Sequence, residues 1–162
     1  MRKITDADKL AYYERNFFTM DGLWVIESEN EVGWDKALEI DTAVWKRMLK
    51  TMFRRLKRYL KIETNTLDDI VNILTFRWSI EGWDYELIKN DHKAVFKIKK
   101  CPYKSSMDRN EKRKDKIPDI CSKMCTKIYQ FAIEDFVPGI KITRTKFMGL
   151  GDEFCDFNLE TN

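Results

Sequence analysis

At Gly82 the hydrophobic pattern changes period from 3.6 residues to 2, and that switch limits what the chain can fold into. Before it, apolar residues recur every three or four positions, as on one face of a helix. After it, Trp83-Asp84-Tyr85-Glu86-Leu87-Ile88 and Ala94-Val95-Phe96-Lys97-Ile98-Lys99 alternate like strands, joined by a turn at Asn90-Asp91-His92-Lys93. Helices that come first and strands that come later predict an α+β fold rather than alternating βαβ units.

Residues 5 to 31 read as one helix capped by Thr5 or Asp6, with Leu10, Tyr13, Phe17, Met20 and Trp24 at intervals of three and four. Gly22 predicts a weak point in its middle, since glycine costs about 1 kcal/mol against alanine inside a helix. A second helix, Trp34 to Leu60, has the clearest stripe: Ala37, Leu38, Val44, Trp45, Met48, Leu49, Met52, Phe53, Leu56 and Leu60. Its other face is basic from Lys46 to Lys61. That suits either a solvated surface or an anionic partner, but it lacks the interleaved aromatics that stack bases. Thr66 caps a short third helix. Tyr103 to Lys116 is polar and aperiodic, so it is expected to be a mobile loop. Pro118 to Phe136 reads as a helix with Cys121, Met124, Cys125, Ile128 and Phe131 along one face. Two closing strands, Ile140 to Met148 and Phe154 to Leu159, flank the connection Gly149-Leu150-Gly151-Asp152. The expected architecture is one domain over 1-162: a helical part at 1-76, then a hairpin-helix-hairpin part at 77-162 with about four antiparallel strands.

With 162 residues, 43% of them hydrophobic and 10 Phe, 6 Tyr and 5 Trp among them, the chain has enough apolar surface for a core. Thirty basic against 27 acidic side chains leave a net charge of +3, which gives no bulk field for nucleic acid or an anionic membrane. The acidic start Thr5-Asp6-Ala7-Asp8 and the lack of a long apolar run predict a cytoplasmic protein with neither signal nor membrane span. Aromatic residues on the first two helices leave a homodimer open.

All four cysteines, Cys101, Cys121, Cys125 and Cys155, lie in the last 62 positions of the chain. Four thiolates converging would suit zinc or another transition metal, although structural zinc sites normally show close Cys-x-x-Cys pairs and this spacing is wide. The alternatives are a single cysteine nucleophile or plain packing, since free cysteine is often buried. His92, the single histidine, falls in a polar turn and gives a Cys-His pair little support. Acid-base work would then fall to Asp152, Glu153 and Asp156 around Cys155. Arg144 and Lys146, two apart on one predicted strand, could clamp a substrate carboxylate or could equally be solvent-side residues that blunt an edge strand.

Cys101-Pro102, Ile120-Cys121, Cys125, Arg144-Thr145-Lys146 and the closing Gly151-Asp152-Glu153-Phe154-Cys155-Asp156-Phe157 together resemble the L-2-amino-thiazoline-4-carboxylic acid hydrolase-like family. Asp21-Gly22-Leu23-Trp24 and Val32-Gly33-Trp34-Asp35 are similar to uncharacterised relatives of it. The resemblance implies a hydrolase that opens a thiazoline ring at its C=N bond. Cys155 or Cys101 would then be nucleophile or metal ligand, Asp152 or Asp156 would direct water, and Arg144 would hold the carboxylate. A more distant similarity, to 4-vinyl-reductase-like domains, implies instead a sensory module that binds a small molecule or a metal without chemistry.

Overall fold

A computed structural model describes residues 2–161. Among the described residues, six α-helical segments and four strands form an α+β structure in which the helices α1 to α3 precede an antiparallel sheet. The chain divides into two compact units, one ending at Asp41 and one beginning at Thr42. No helix among the described residues is long and apolar enough to cross a membrane.

The first unit contains α1, Asp6–Val32, and the opening turns of α2, Trp34–Tyr59. Thr5 starts α1 with a capping box: its hydroxyl accepts from the Asp8 N–H while the Asp8 carboxylate accepts from the Thr5 N–H at 2.9 Å. Gly22 does not interrupt the helix, because the turns on either side continue its hydrogen bonds. Gly33, at φ 79°, makes the actual break, in a conformation that costs any other residue a clash at Cβ. Within this unit Asp41 is buried, and burial, with the nearby Asp21 charge adding to it, pushes its carboxyl up to about 7.

In the second unit, α2 continues with Trp45, Leu49 and Phe53 buried, as its stripe predicts. A second capping box, Thr66 with Asp69, starts α3, Leu67–Ile80, which buries Ile70, Ile73, Leu74 and Trp78 completely. Strands β1, Asp84–Lys89, and β2, Lys93–Lys100, form the predicted hairpin; Asn90 closes it by accepting the His92 and Lys93 N–H groups on its side-chain oxygen.

The segment expected to be a mobile loop is helical. Cys101 and Pro102 begin α4, Pro102–Met107, and a 3-10 helix follows at Glu111–Lys116. Proline at the first turn fixes φ where no N–H is needed, and Lys104 bonds Asp108 one turn on, so local geometry succeeds without an apolar period. The next helix is also not uniform. A short α5, Ile117–Asp119, passes into a π-helical turn, Ile120–Met124, and then into α6, Cys125–Phe136. The π-turn holds Cys121 and ends just before Cys125, and such turns shift the helix face by a residue.

The closing hairpin is shorter than its alternation suggested. Strand β3 covers only Lys141–Thr143, and β4 covers Cys155–Glu160. Between them the chain leaves the sheet at Arg144 and makes a 3-10 turn, Met148–Leu150. The sheet order is β1-β2-β4-β3, with Phe96 opposite Phe157 and Ile98 opposite Cys155. One sheet face meets the helices through Trp78, whose ring centroid lies 4.9 Å from Phe96, 5.1 Å from Trp83 and 5.5 Å from Phe157.

Candidate functional site

The four cysteines come from three separate stretches of backbone and line one hollow. Cys101 caps α4, Cys121 sits in the π-turn, Cys125 opens α6 and Cys155 opens β4. With Trp83, Lys104, Arg144, Met148 and Phe157 they enclose about 30 Å3. A space of that size takes one or two waters or a small functional group.

Arg144 is the polar centre. Its Nε donates to the Asp156 backbone oxygen at 3.0 Å, and its Nη1 donates to the Cys125 sulfur at 3.1 Å. The guanidinium lies 3.9 Å from the Phe157 ring centroid and 4.6 Å from that of Phe147. Burial works against the charge, and the sulfurs of Cys125 and Cys155 outweigh it, so the proton is held more firmly than usual. No carboxylate among the described residues forms an ion pair with it. The other cation in the lining, Lys104, is matched by Asp108 at 2.8 Å.

Three of the thiols are held neutral. Burial pushes the Cys101 thiol up to about 12, against the Lys104 N–H that donates to it, and pushes Cys121 up to about 12 as well. Cys155 is shifted upward for the same reason, opposed by the Met148 N–H at 3.2 Å. Cys125 alone has a guanidinium against its sulfur. All four cysteines are free, and among the described residues no three or more His, Cys, Asp or Glu side chains are grouped to hold a metal ion. The sulfurs surround the hollow together with a permanent cation rather than converging on one point.

The acids around Cys155 do other work. Asp156 is buried, not outward facing: both faces of β4 are covered because the 144–147 loop folds over the outer one. Its carboxylate accepts from the Thr145 and Lys146 N–H groups, both at 2.7 Å, from the Thr145 hydroxyl at 2.9 Å and from Asn158 at 2.8 Å. Burial disfavours that charge, but these donors outweigh it and hold the carboxyl below its usual range. Asp152 accepts from the Phe147 N–H at 2.7 Å and pairs with Lys146 at 3.5 Å. Neither carboxylate lines the hollow. Lys146 and Glu153 are exposed and also lie outside the lining. The acids therefore shape the loop that delivers Arg144 and Met148 to the sulfurs.

A glycine sets how closely that loop approaches. A Cβ built on Gly149 would stand 2.5 Å from the Cys121 sulfur and 2.6 Å from its Cβ, closer than atoms can pack. Lys104, Met148, Phe157 and Trp83 were not singled out by sequence reasoning. A signal existed for two of them: Phe157 is two residues from Cys155 on the same strand face, and Lys104 is one helical turn from Cys101.

Fold and site together define an α+β protein with a small hollow of thiols and one guanidinium between a helix and the closing strand. Residues 3–135 match the model of a family of unknown function, DUF6125, and the chain belongs to that family. The matched stretch holds Cys101, Cys121 and Cys125; Arg144 and Cys155 lie beyond it. No curated protein matches the chain. Among solved structures, the chain is similar in fold to a trafficking protein particle complex subunit 3 from Naegleria fowleri, covalently bound to palmitic acid. The TM-score is 0.60 at 10% identity, over 94% of this chain and 96% of that one.

Proposed function

We propose that this protein is a small-molecule-binding module that seats the carboxylate of a small organic acid against Arg144, with the acid's apolar body among the cysteine sulfurs, Met148 and Phe157. The observation that supports it is a part-buried guanidinium with no carboxylate partner, facing a hollow whose lining has two cations and no anion. A cation withdrawn from water without a counter-charge is costly, and an anionic ligand would supply the missing partner. Aromatic and sulfur surfaces favour an apolar body over a sugar or nucleotide.

The hydrolase reading has less support. Cys155 and Cys101 are neutral thiols at neutral pH, which makes them weak nucleophiles, and Asp152 and Asp156 are committed to loop N–H groups, so none is left to direct water. Zinc is likewise disfavoured by a fixed positive charge touching Cys125. The solved neighbour of similar fold is covalently bound to palmitic acid; in this chain a hollow of about 30 Å3 would have to open to admit a long acyl chain.

Calorimetric titration of the full chain with short-chain carboxylic acids, the thiazoline acid and palmitate tests the proposal. Saturable binding that weakens by about tenfold or more in Arg144→Met, with the fold intact by circular dichroism, is expected. Equal affinity in the variant would sink it, and ring opening of the thiazoline acid would move the assignment to the hydrolase. Preference for palmitate over short acids would assign the site to lipid.

A further inference from the structure

Four sulfurs share the hollow, and each is held by a different neighbour. Cys101 accepts from the Lys104 N–H at 3.5 Å and Cys155 from the Met148 N–H at 3.2 Å. The Cys121 sulfur is pressed against Gly149, 2.5 Å from where an added Cβ would stand. Cys125, half-buried at the start of α6, is among the described residues the one sulfur that takes a side-chain N–H, from Arg144 Nη1 at 3.1 Å. It is also the sulfur that the other three feel: burial is the main cause that raises Cys101, Cys121 and Cys155, and electrostatic repulsion from Cys125 adds to the rise in each. Arg144 Nε is spent on the Asp156 backbone oxygen, while Nη2 donates to nothing among the described residues. The guanidinium therefore has donors left over and no anion to take them, and the space it lines is about 30 Å3. That space admits a molecule scarcely larger than water.

We infer that Cys125 is an oxidation site for hydrogen peroxide, whose oxygen, once on the sulfur, becomes the partner that Arg144 lacks. The sulfur attacks one peroxide oxygen: an S–O bond forms, the O–O bond breaks, and the departing hydroxide takes the thiol proton and leaves as water. Sulfur gives up two electrons and the peroxide gains them, so the product is a sulfenic acid. The unused N–H groups of Arg144 stabilise the charge that gathers on the departing oxygen. The oxygen that stays sits one bond out from a sulfur already 3.1 Å from Nη1, and it accepts from the same guanidinium. Backbone N–H groups hold Cys101 and Cys155 and the Gly149 contact holds Cys121, so the sulfenic acid persists instead of closing to a disulfide. Two equivalents of a small thiol return it to the thiol, releasing their own disulfide and water. The oxidation stands on the sulfur and the arginine alone. Its consequence, that an oxygen lodged on Arg144 shuts out an incoming carboxylate, rests on the carboxylate reading above.

Treatment of the full chain with a small excess of hydrogen peroxide, followed by dimedone and peptide mapping, is expected to place the sulfenic-acid adduct on Cys125 first. Arg144→Met, folded by circular dichroism, should slow that labelling by about tenfold. Without dimedone, the oxidised wild type should melt about 2 °C or more above the reduced chain, and Arg144→Met should show no such rise, because it has no cation for the new oxygen to pair with. Short-chain carboxylic acids should bind the oxidised chain about tenfold more weakly and regain affinity after reduction by a small thiol. If the reduced chain binds no such acid, the carboxylate reading fails, while labelling and melting still decide the oxidation. Labelling of Cys101, Cys121 or Cys155 ahead of Cys125, a disulfide at Cys125 in place of the adduct, or equal rates in Arg144→Met would overturn the proposal. So would a melting temperature that oxidation leaves unchanged.

Discussion

Arg77 and Arg144 bring the same guanidinium into the same half of the molecule, and their surroundings treat it in opposite ways. Arg77, on α3, is 4% exposed. Its Nε bonds Glu81 at 2.8 Å, its Nη1 the Tyr129 hydroxyl at 2.9 Å and its Nη2 the Tyr103 hydroxyl at 3.3 Å, while Trp78 donates to the same Tyr129 oxygen at 3.0 Å. Burial opposes that charge, and Tyr129, Glu81 and Tyr103 outweigh it. Arg144 has a backbone oxygen, a sulfur and two aromatic rings, but no carboxylate. A charge fully answered from within the protein is part of the architecture. One answered only in part is available to something from outside. The difference separates a structural cation from a binding one, although both look alike as arginines in a sequence.

The largest effect expected from this contrast is on Arg77. Arg77→Met takes the cation away from the Tyr129 and Tyr103 hydroxyls and from the half-buried Glu81, and should cost about 3 kcal/mol of unfolding free energy in a urea titration. Arg144→Met removes a cation that lacks a carboxylate partner and places an apolar chain over Phe157, so it should cost less than about 1 kcal/mol and act on ligand affinity instead. Equal losses of stability would erase the distinction.

A second, smaller effect belongs to the loop that carries Arg144. Asp156→Ala leaves the N–H groups of Thr145 and Lys146 without their acceptor, a loss of about 2 kcal/mol. Asp156→Asn keeps an acceptor oxygen and should recover part of it. The sign with pH follows from the direction of the shift: a carboxyl held below its usual range contributes stability above its unfolded pKa of about 3.8, lost as the pH falls through the lower folded value. Asn at 156 should flatten that acid limb of the stability curve. Gly149→Ala comes next, at about 1 to 2 kcal/mol, because the new methyl meets Cys121 in a packed contact. It should weaken carboxylate binding as well, since the Met148–Leu150 turn must retreat from the sulfurs.

The two arginines also explain which parts of the molecule could be read before its structure. Helix α2 was readable because one stripe, Trp45 to Phe53, repeats for several turns, and α3 because Thr66 and the acids after it mark a helix start. The hairpin was readable from alternation and from Asn90. The 101–116 segment was not, because its helices are set by a proline, a sulfur cap and local ion pairs rather than by an apolar period. The closing hairpin was over-read: Arg144 to Phe147 alternates like a strand, yet the side chain of Asp156 takes the N–H groups of Thr145 and Lys146 out of the ladder. That competition between a carboxylate and a neighbouring strand depends on a residue eleven positions away and has no local signature. Of the candidate site, the grouping of the cysteines followed from where they fall in the chain. Their relation to Arg144 did not, because it depends on that same loop. Arg77 is itself a signal in the sequence, a charge embedded in the apolar run from Ile70 to Trp78.

The smallest effect is the most specific to the hollow. Cys101 and Cys121 are raised from 9.0 to about 12 by burial, so the folded chain keeps protons that the unfolded chain gives up above about pH 9. Stability from this source is therefore complete below pH 9 and declines as the pH climbs toward 12, the opposite sense to the acid limb at Asp156. The same burial makes these thiols slow toward iodoacetamide at pH 8 in the native protein and quick in urea. Cys125 differs because the Arg144 guanidinium donates to its sulfur at 3.1 Å, a contact that none of the other three sulfurs has. Peptide mapping after brief alkylation should find Cys125 labelled first, and Arg144→Met should remove that lead while leaving Cys101 and Cys121 as slow as before. If Cys101 or Cys121 is labelled as fast as Cys125, the arginine does not single out one sulfur. The hollow would then be four equivalent thiols beside a charge, and the contrast with Arg77 would rest on the missing carboxylate alone.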